Sequence, residues 1–357
     1  MNLMYVNVLV VFMLLSISCC TEALSCLDRS GHPVDWFIAL KLSKDSDNNN
    51  ELIRDGVGHV YMDENIKEWQ LSDVSMNDSS QSIGYTLQQI YDNPKSKDVG
   101  YIMYNDEWPN GPKSSSRGHT KGALAFDSSS GFWLIHSTPK FPDFANKSYV
   151  WPNNALPFGQ SFLCITFDLK QFQLIGEQLL YNYPSIYDSN LPDQLVDKVP
   201  SLRDVVNDKH TDTPPYKQMV TLYSKAGREF QSFSKSKGFN QDIYANWLAP
   251  YWKTNLFTET WQNGGGKLKS NCSSTFTVQN IKLISLPGII LQKETKDHSK
   301  WAVSTGNTRQ VTCIGGINRM EAQFRRAGGL VCSEIPEIWK AFRQLVNDTE
   351  PCPGLNY

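Results

Sequence analysis

The sequence lacks the cysteine patterns of metal and redox sites. None of its eight cysteines forms a Cys-x-x-Cys pair or stands beside a histidine at ligand spacing. This absence disfavours a zinc site, a redox pair and a thiol nucleophile. The sequence also shows no carboxylate or Cys/His cluster typical of a metal site, so no metal ion and no cofactor are predicted.

Long apolar runs are missing from all but the N-terminal part of the chain. Residues 6–17 are almost wholly apolar, and small residues and a Thr21-Glu22-Ala23 step follow them. This pattern predicts a secretory signal peptide over residues 1–23, cleaved before Leu24. An uncleaved anchor is the alternative, because no Lys or Arg precedes the apolar stretch. No later run is long enough to span a bilayer, so we expect a secreted or lysosomal protein without a membrane partner.

The sequence also lacks a strong excess of either charge. It has 34 Lys and Arg against 36 Asp and Glu, and loss of Glu22 with the signal peptide would change the formal net charge from −2 to −1. Protonation of all six histidines in an acidic compartment would bring that charge to +5. A cationic surface would favour a polyanionic partner, although bulk charge alone does not identify one.

The residues that are present fit the secretory route. Removal of the signal peptide leaves six cysteines, an even number that suits three disulfides, with about 15 connectivities open. These are Cys26, Cys164, Cys272, Cys313, Cys332 and Cys352. Sequons for N-glycosylation lie at Asn77, Asn146, Asn271 and Asn347.

The length of 357 residues favours two halves over a single core, and the hydrophobic patterns predict mixed α and β structure. Strands are predicted over residues 35–42, 58–62, 100–104 and 123–126. Helices are predicted around residues 83–90 and over residues 217–225, 241–247 and 334–346. Polar, proline-containing segments predict loops over residues 105–117, 181–200 and 207–215, and the second of these marks the boundary between the halves.

Two similar tetrads form the most informative feature of the sequence. Gly118-His119-Thr120-Lys121 and Asp297-His298-Ser299-Lys300 stand 179 positions apart, about half of the chain. In an extended segment, residues two apart project from the same face, so each tetrad presents an imidazole beside an ammonium. The Lys can bind phosphate oxygens, while the His can attack phosphorus or move a proton. A single His-x-Lys is common in exposed strands and loops, but two copies, one in each half, indicate phosphate chemistry and an internal duplication.

Further motifs accompany the tetrads along the chain. They are Arg117-Gly-His-Thr-Lys-Gly122, Asp297-His-Ser-Lys-Trp301, Pro33-Val-Asp-Trp-Phe37, Tyr104-Asn-Asp106, Gly131-Phe-Trp-Leu-Ile-His-Ser137, Gly159-Gln160 and Ile338-Trp-Lys-Ala-Phe342. Together with the cysteine layout, they resemble the deoxyribonuclease II family over essentially the whole chain. The resemblance implies an α/β pseudo-dimer of two phospholipase D-like halves, residues 24–190 and 191–357, whose tetrads meet in one active site. It also implies disulfides that pair Cys26 with Cys164, Cys272 with Cys352, and Cys313 with Cys332.

The phospholipase D pattern places an Asn after a Gly-rich step downstream of each tetrad. Gly315-Gly-Ile-Asn318 supplies this residue in the second half. The first half has His136-Ser-Thr-Pro139 instead, which predicts an asymmetric site in which Ser137 or His136 contacts the substrate. The acidic residue of the pattern is less well matched, because Asp127 comes one place late after Lys121.

Other residue groups allow two interpretations. The aromatic residues Trp247, Tyr251, Trp252, Phe257 and Trp261 could stack nucleic-acid bases, but a cluster this dense is more typical of a core. His136 also allows two interpretations, because it could contact the substrate or could be packed inside the protein without touching it. Surface positions are predicted for His32, His59 and His210.

The tetrads and the resemblance together predict an acid endodeoxyribonuclease that cuts DNA to 3′-phosphate products without a metal, through a phosphohistidine. Predicted catalytic residues are His119, Lys121, His298, Lys300 and Asn318. The couple needs one neutral and one protonated imidazole, which predicts an optimum on the acid side of neutral. A monomer is expected, with a homodimer as the alternative. An inactive or toxin-like nucleic-acid-binding homologue is the competing function, and a related enzyme acting on phospholipid is another.

Overall fold

The structure, a computed structural model, describes residues 23–352. The predicted signal peptide lies outside this range except for Ala23. The strands are β1 Cys26–Leu27, β2 Pro33–Val34, β3 Trp36–Lys41, β4 His59–Asp63, β5 Gln70–Leu71, β6 Gly100–Asn105, β7 Lys121–Phe126, β8 Ser130–His136, β9 Gln160–Asp168, β10 Ile186–Asn190, β11 Lys217–Tyr223, β12 Glu229–Lys235, β13 Leu256–Glu259, β14 Val278–Leu286, β15 Ile290–Lys293, β16 Trp301–Ser304, β17 Thr312–Gly315, β18 Gly328–Ser333 and β19 Val346–Thr349.

Helices are short and lie mostly in the connections between strands. They are α1 Glu51–Arg54, α2 Ser82–Tyr91, α3 Gln171–Asn182, α4 Asp193–Val196, α5 Pro200–Val206, α6 Ala249–Trp252 and α7 Pro336–Arg343. A π-helical turn, Tyr244–Leu248, leads into α6, and 3-10 turns occur at Asn153–Ala155, Lys237–Phe239, Glu294–Lys296 and Glu321–Gln323. None of the helices within residues 23–352 combines the length and the apolar character that a bilayer-crossing helix needs.

Two large sheets divide the strands between the two parts of the chain. The first sheet has the order β10-β6-β7-β8-β9-β3-β4-β5, and the second has the order β11-β12-β18-β17-β16-β13-β14-β15, with β19 also on β14. The five-strand series β6-β7-β8-β9-β3 matches β13-β16-β17-β18-β12, and every neighbouring pair in both series is antiparallel. The same strand order therefore occurs twice, and each copy has one tetrad at the start of an equivalent strand. The first tetrad ends at Lys121, the first residue of β7, and the second ends at Lys300, directly before β16.

A common core lies between the two sheets. Along β3, Ile38 and Leu40 belong to a buried cluster that also contains Val303 and Ile314 of the second sheet. Helices α3, α5 and α7 contribute to this same cluster. Because strand side chains alternate, the opposite faces form separate cores, one covered by α2 and the other by the π-helical turn and α6.

The three disulfides each join residues of the same sheet region. They pair Cys26 with Cys164, Cys272 with Cys352, and Cys313 with Cys332, the pairs that the resemblance implies. Restriction of the unfolded chain by loops of this size stabilises the fold by roughly 3 to 5 kcal/mol for each bridge. Of the sequons, Asn77, Asn146 and Asn347 are exposed, whereas the half-buried Asn271 accepts hydrogen bonds from Ser274.

Several local predictions are corrected by the structure. Residues 217–225 were expected to be helical, but β11 pairs with β12 over seven residues, and this long ladder outweighs the local pattern. The predicted loop 181–200 contains β10 and α4. His59 was expected at the surface but is fully buried in β4, where burial lowers its pKa to about 4. Like it, His119, His136 and His298 have lowered pKa values, so these four do not supply the cationic surface expected at acid pH.

Candidate active site

The two tetrads meet at the seam between the sheets, where each is held by the other sheet. The His119 backbone N–H donates to the Ala327 carbonyl at 2.9 Å. The His298 N–H donates in the same way to the Gly159 carbonyl at 2.9 Å. Ala327 and Gly159 are the residues immediately before β18 and β9, which are equivalent strands in the repeated order. Each histidine is therefore positioned by the turn that precedes a strand of the opposite sheet.

Glycine allows the two backbones to approach closely at this seam. A Cβ atom at Gly316 would lie 2.3 Å from the His119 carbonyl oxygen, well inside van der Waals contact. A Cβ atom at Gly159 would lie 2.6 Å from a carboxylate oxygen of Asp297. The absence of a side chain at both positions is thus a requirement of the site.

Charged side chains surround His119. Its Nδ1 contacts the Gly316 carbonyl oxygen, and its Nε2 lies 3.9 Å from Oδ2 of Asp106. Asp106 also forms ion pairs with Lys121 and with Arg326, the latter at 3.0 Å. Since a carbonyl oxygen only accepts hydrogen bonds, the proton of the neutral ring lies on Nδ1 and the lone pair on Nε2.

The protonation states around His119 follow from burial and from these ion pairs. Burial and the Lys121 charge hold the pKa of His119 well below its usual value, although Asp106 acts in the opposite direction. Burial would raise the pKa of Asp106, but Lys121, His119 and Arg326 outweigh it and hold that pKa below its usual value. The free site therefore contains a neutral imidazole beside an ionised carboxylate.

Aromatic rings enclose His298. The Phe158 ring stacks on it with centroids 4.4 Å apart and planes 7° apart, and the Trp261 ring meets it edge-on at 3.9 Å. Its buried Nε2 has no hydrogen-bond partner among residues 23–352. Burial, followed by the charges of Lys300 and Lys121, lowers the pKa of His298 to about 2. This apolar slot strongly disfavours the imidazolium form.

Lys300 and Lys121 bring positive charge to the same region. Lys300 is buried, and its Nζ donates to the His298 carbonyl oxygen. Burial and the Lys121 charge lower the pKa of Lys300 to about 7. Below pH 7 Lys300 is an ammonium group, and its repulsion with the Lys121 charge favours a bound anion in this region.

A family model described as Deoxyribonuclease II matches residues 25–352. The chain belongs to the deoxyribonuclease II family. It is 49% identical over 334 residues to Plancitoxin-1 of Acanthaster planci, with 93% of each chain covered. It is 41% identical over 337 residues to deoxyribonuclease-2-alpha of Mus musculus, with 93% of this chain and 94% of the relative covered. With deoxyribonuclease-2 of Caenorhabditis elegans the identity is 36% over 360 residues, covering 93% and 95%.

Asn318 adjoins the His298 side of the seam. Its side-chain oxygen accepts a hydrogen bond from the Trp261 backbone N–H at 3.2 Å. Because the Trp261 ring forms one wall of the His298 slot, Asn318 is connected to the histidine through this wall. The aromatic cluster predicted around Trp261 divides accordingly: Trp247, Trp252 and Phe257 are buried in cores, and Trp261 contacts His298.

Ser137 and His136 make local contacts within the first sheet. Ser137 Oγ donates to the Gln160 side-chain oxygen at 2.6 Å and accepts from the Ser161 N–H at 2.9 Å. His136 Nδ1 accepts from the Thr138 N–H at 3.2 Å, and its ring packs against Phe162 and Phe141. Burial, followed by the Lys121 charge, lowers the pKa of His136 to about 3. A substrate-binding role for these two residues stays a prediction.

The acidic partner of the first tetrad is Asp106, and the sequence pattern did not identify it. Asp127 follows the far end of β7 and accepts from the Leu24 and Ser130 N–H groups, away from Lys121 at the start of that strand. Asp106 follows β6, which pairs with β7, so strand register brings it to Lys121. Its other partner, Arg326, is 220 residues away along the chain, a separation that local spacing cannot reveal.

Proposed function

We propose that this chain is an acid endodeoxyribonuclease that hydrolyses DNA phosphodiesters to 3′-phosphate products without a metal ion. The observation that supports this most strongly is the meeting of two His-x-Lys tetrads at one seam, in a chain of the deoxyribonuclease II family. Two ammonium groups supply the positive charge that a divalent ion supplies in other nucleases. DNA is the expected partner, and a lysosomal or extracellular destination follows from the predicted signal peptide.

The arrangement that this function requires is a pseudo-dimer of two phospholipase D-like halves. The repeated antiparallel strand order supports it, as does the placement of one tetrad in each copy. The last strand of the first sheet ends at Asn190, which agrees with a boundary between residues 190 and 191. Since one chain supplies both tetrads, a monomer suffices for activity.

His119 is the proposed nucleophile. Its Nδ1–H is held by the Gly316 carbonyl, which leaves the Nε2 lone pair for attack on phosphorus. Attack forms a P–N bond and breaks the bond from phosphorus to the 5′ oxygen of the leaving strand. The ring becomes a cationic phosphohistidine, and the nearby Asp106 carboxylate stabilises that positive charge.

His298 is the proposed acid. It gives its proton to the departing 5′ oxygen, so that the leaving strand ends in a hydroxyl group. In the second step it removes a proton from water as the water oxygen attacks phosphorus. The P–N bond breaks, which restores His119 and releases the 3′-phosphate. The apolar slot makes the imidazolium a strong acid, and the bound phosphodiester anion supplies the charge that stabilises it before transfer.

Replacement of either histidine tests the shared site. His119→Ala and His298→Ala should each reduce plasmid cleavage at acid pH to background, because each removes half of one nucleophile and acid couple. Cleavage by the wild-type protein should persist in excess chelator, and the new ends should accept a polymerase only after phosphatase treatment. Substantial cleavage by either mutant, or loss of wild-type activity on chelation with recovery in magnesium, would contradict the mechanism.

A secreted, toxin-like nucleic-acid-binding protein is the second candidate function. The 49% identity to a relative named Plancitoxin-1 supports this second candidate. Intact plasmid after long incubation with the wild-type protein at acid pH, together with retarded migration of the complex, would assign the chain to binding alone. Comparison with phospholipid hydrolysis separates the nuclease from the lipid-acting alternative.

A further inference from the structure

Two lysines outside the tetrads are buried at equivalent positions of the repeated topology. Lys41 is the last residue of β3, and Lys235 is the last residue of β12. Their side chains are among the most buried cations of residues 23–352, with at most 1% of either residue exposed. Burial of an amine is costly unless all its donors are satisfied, so each position needs a reason.

Both lysines bind the same pattern of backbone carbonyls. Lys41 Nζ donates to the carbonyls of Ala155, Leu156 and Phe158, at 2.8, 2.5 and 2.7 Å. Lys235 Nζ donates to the carbonyls of Gln323, Phe324 and Arg326. In each case the acceptors are residues i, i+1 and i+3 of a turn in which residue i is the last of a 3-10 helix, and the turn ends directly before β9 or β18.

These two turns are the ones that hold the histidines. Phe158 stacks on the His298 ring, and the next residue, Gly159, accepts from the His298 N–H. Arg326 pairs with Asp106 beside His119, and the next residue, Ala327, accepts from the His119 N–H. Each lysine thus fixes a turn of its own sheet that supports the histidine of the other sheet.

The number of acceptors matches the ammonium form of the side chain. An ammonium group has three N–H donors and each lysine has three carbonyl acceptors, whereas a neutral amine would leave one carbonyl unpaired. The charged groups that face these lysines are Asp297 for Lys41 and Asp242 for Lys235, and both favour the cation. Burial nevertheless lowers the pKa of each lysine to about 7. Each lysine therefore has a donor for all three carbonyl acceptors only below a pH of about 7.

We propose that Lys41 and Lys235 are crossed positioning residues, Lys41 for His298 and Lys235 for His119. Neither side chain takes part in bond making. Each sets the turn that orients a histidine supplied by the opposite sheet. The assignment of a catalytic use to the histidines rests on the proposed function, but the crossed support of their positions does not.

Kinetics of two isosteric variants give the first test. Lys41→Met and Lys235→Met should each lower kcat by about 100-fold with KM changed by less than about threefold, because a small displacement of a reacting group costs this much. Thr166→Val is the matched control. Thr166 is also buried, and it binds the Cys26 N–H and the Val34 carbonyl at the far end of β9. This control should lower the melting temperature and keep kcat per folded molecule.

Double variants distinguish positioning from a general loss of stability. Lys41→Met should cause little further loss when added to Phe158→Leu, because both changes act through one turn. Added to Arg326→Lys, which acts at the other histidine, it should multiply the loss. Multiplicative effects of Lys41→Met and Phe158→Leu, or a kcat loss in Thr166→Val equal to that in Lys41→Met, would overturn the proposal.

Chemical modification tests the crossed pattern without using activity. Under limiting diethyl pyrocarbonate, Lys41→Met should increase carbethoxylation of His298 at least about threefold and leave His119 unchanged, and Lys235→Met should do the reverse. Equal changes at both histidines would overturn the proposal. If wild type fails to cut DNA while this pattern appears, the proposed function fails and the positioning role stands.

The wild-type protein offers a test that does not depend on folding of the variants. Amide exchange of Phe158, whose N–H donates to the Ala155 carbonyl within the turn, should become faster above pH 7 after correction for the intrinsic rate. The control amide is Tyr85, which donates to the Gln81 carbonyl in the first turn of α2, away from both lysines. Unchanged protection of Phe158 between pH 5 and 9 would overturn the expectation that loss of the Lys41 proton loosens this turn.

Discussion

At the scale of single residues, the surroundings of a histidine determine its chemistry. His119 has the carboxylate of Asp106 beside its Nε2, so a positive charge that develops on the ring is stabilised. His298 has the rings of Phe158 and Trp261 around it, so a positive charge there is readily lost. These surroundings support the proposed roles, which are bond formation at His119 and proton release at His298.

Asn318 provides a prediction at this scale that separates two roles. Asn318→Ala should lower turnover by about 100-fold, because the Trp261 wall of the His298 slot loses its hydrogen bond and shifts. Asn318→Asp keeps an oxygen acceptor for the Trp261 N–H but loses the amide donor. Turnover near that of wild type in Asn318→Asp would assign Asn318 to holding Trp261, whereas a loss equal to that of the Ala variant would assign the amide group to phosphate binding. Melting temperatures of both variants serve as the control.

Lys300 provides a prediction about pH. Its pKa is lowered to about 7, so it is a cation below pH 7 and a neutral amine above it. We expect kcat/KM for DNA to fall as pH rises through 7, because the neutral amine no longer binds phosphate. Lys300→Arg keeps the positive charge at all these pH values. The alkaline limb of its kcat/KM profile should therefore move to higher pH, even if the maximum value of kcat/KM is lower. If the alkaline limb stays at the same pH in Lys300→Arg, a group other than Lys300 causes the loss of activity.

At the scale of elements, the short turns at the strand ends determine the site more than the strands do. The turn after β17 brings Gly316 to the His119 backbone and ring, and the turn before β9 brings Phe158 and Gly159 to His298. The sheets supply rigid edges for these turns. A small change in a turn should therefore affect catalysis more than it affects folding.

Gly316→Ala tests this expectation. The added Cβ would lie 2.3 Å from the His119 carbonyl oxygen, so the turn must shift and kcat should fall by about 100-fold. Overpacking of this kind should cost roughly 1 to 3 kcal/mol in the free energy of unfolding. Gly265→Ala is the matched control, because a Cβ at that position meets nothing within 4 Å. Equal activity of the two variants per folded molecule would show that the close approach is unimportant.

The elements that the sequence predicted well are those with local signals. Buried apolar runs identified β3 and β7, the 3.6-residue period identified α2 and α7, and the repeated His-x-Lys pattern identified both tetrads. The acidic and aromatic neighbours of the histidines were not predicted as such, because strand pairing and contacts between the sheets bring them together. Asp106 and Arg326 illustrate this limit, since no spacing rule connects residues 220 positions apart.

At the scale of the whole molecule, the two sheets are joined by packing and by one chain connection. Within the described residues, none of the three disulfides crosses from one sheet region to the other. The shared core contains large side chains from both sheets, including Trp133 and Trp301. Burial of such a surface stabilises the assembly at about 25 cal/mol per Å² of apolar area, so we expect the two sheets to stay together without the connection.

Cleavage of this connection provides the prediction for the whole molecule. A protease site inserted after Thr213, in the exposed segment before β11, should allow the chain to be cut without loss of more than about half of its activity. The cut protein should run as one species in native size exclusion and as two in denaturing, non-reducing gels, because each piece keeps its own disulfides. Dissociation under native conditions would show that the core alone does not hold the sheets together.

The placement of both tetrads in one polypeptide also has a genetic consequence. In the proposed mechanism one chain supplies both histidines, so a damaged histidine in one chain removes no group from the site of an intact chain. In a cell with one intact and one damaged allele, nuclease output should fall in proportion to gene dose. Lesions at His119 or His298 should accordingly be inherited as recessive traits, and two alleles damaged at different histidines should fail to complement each other.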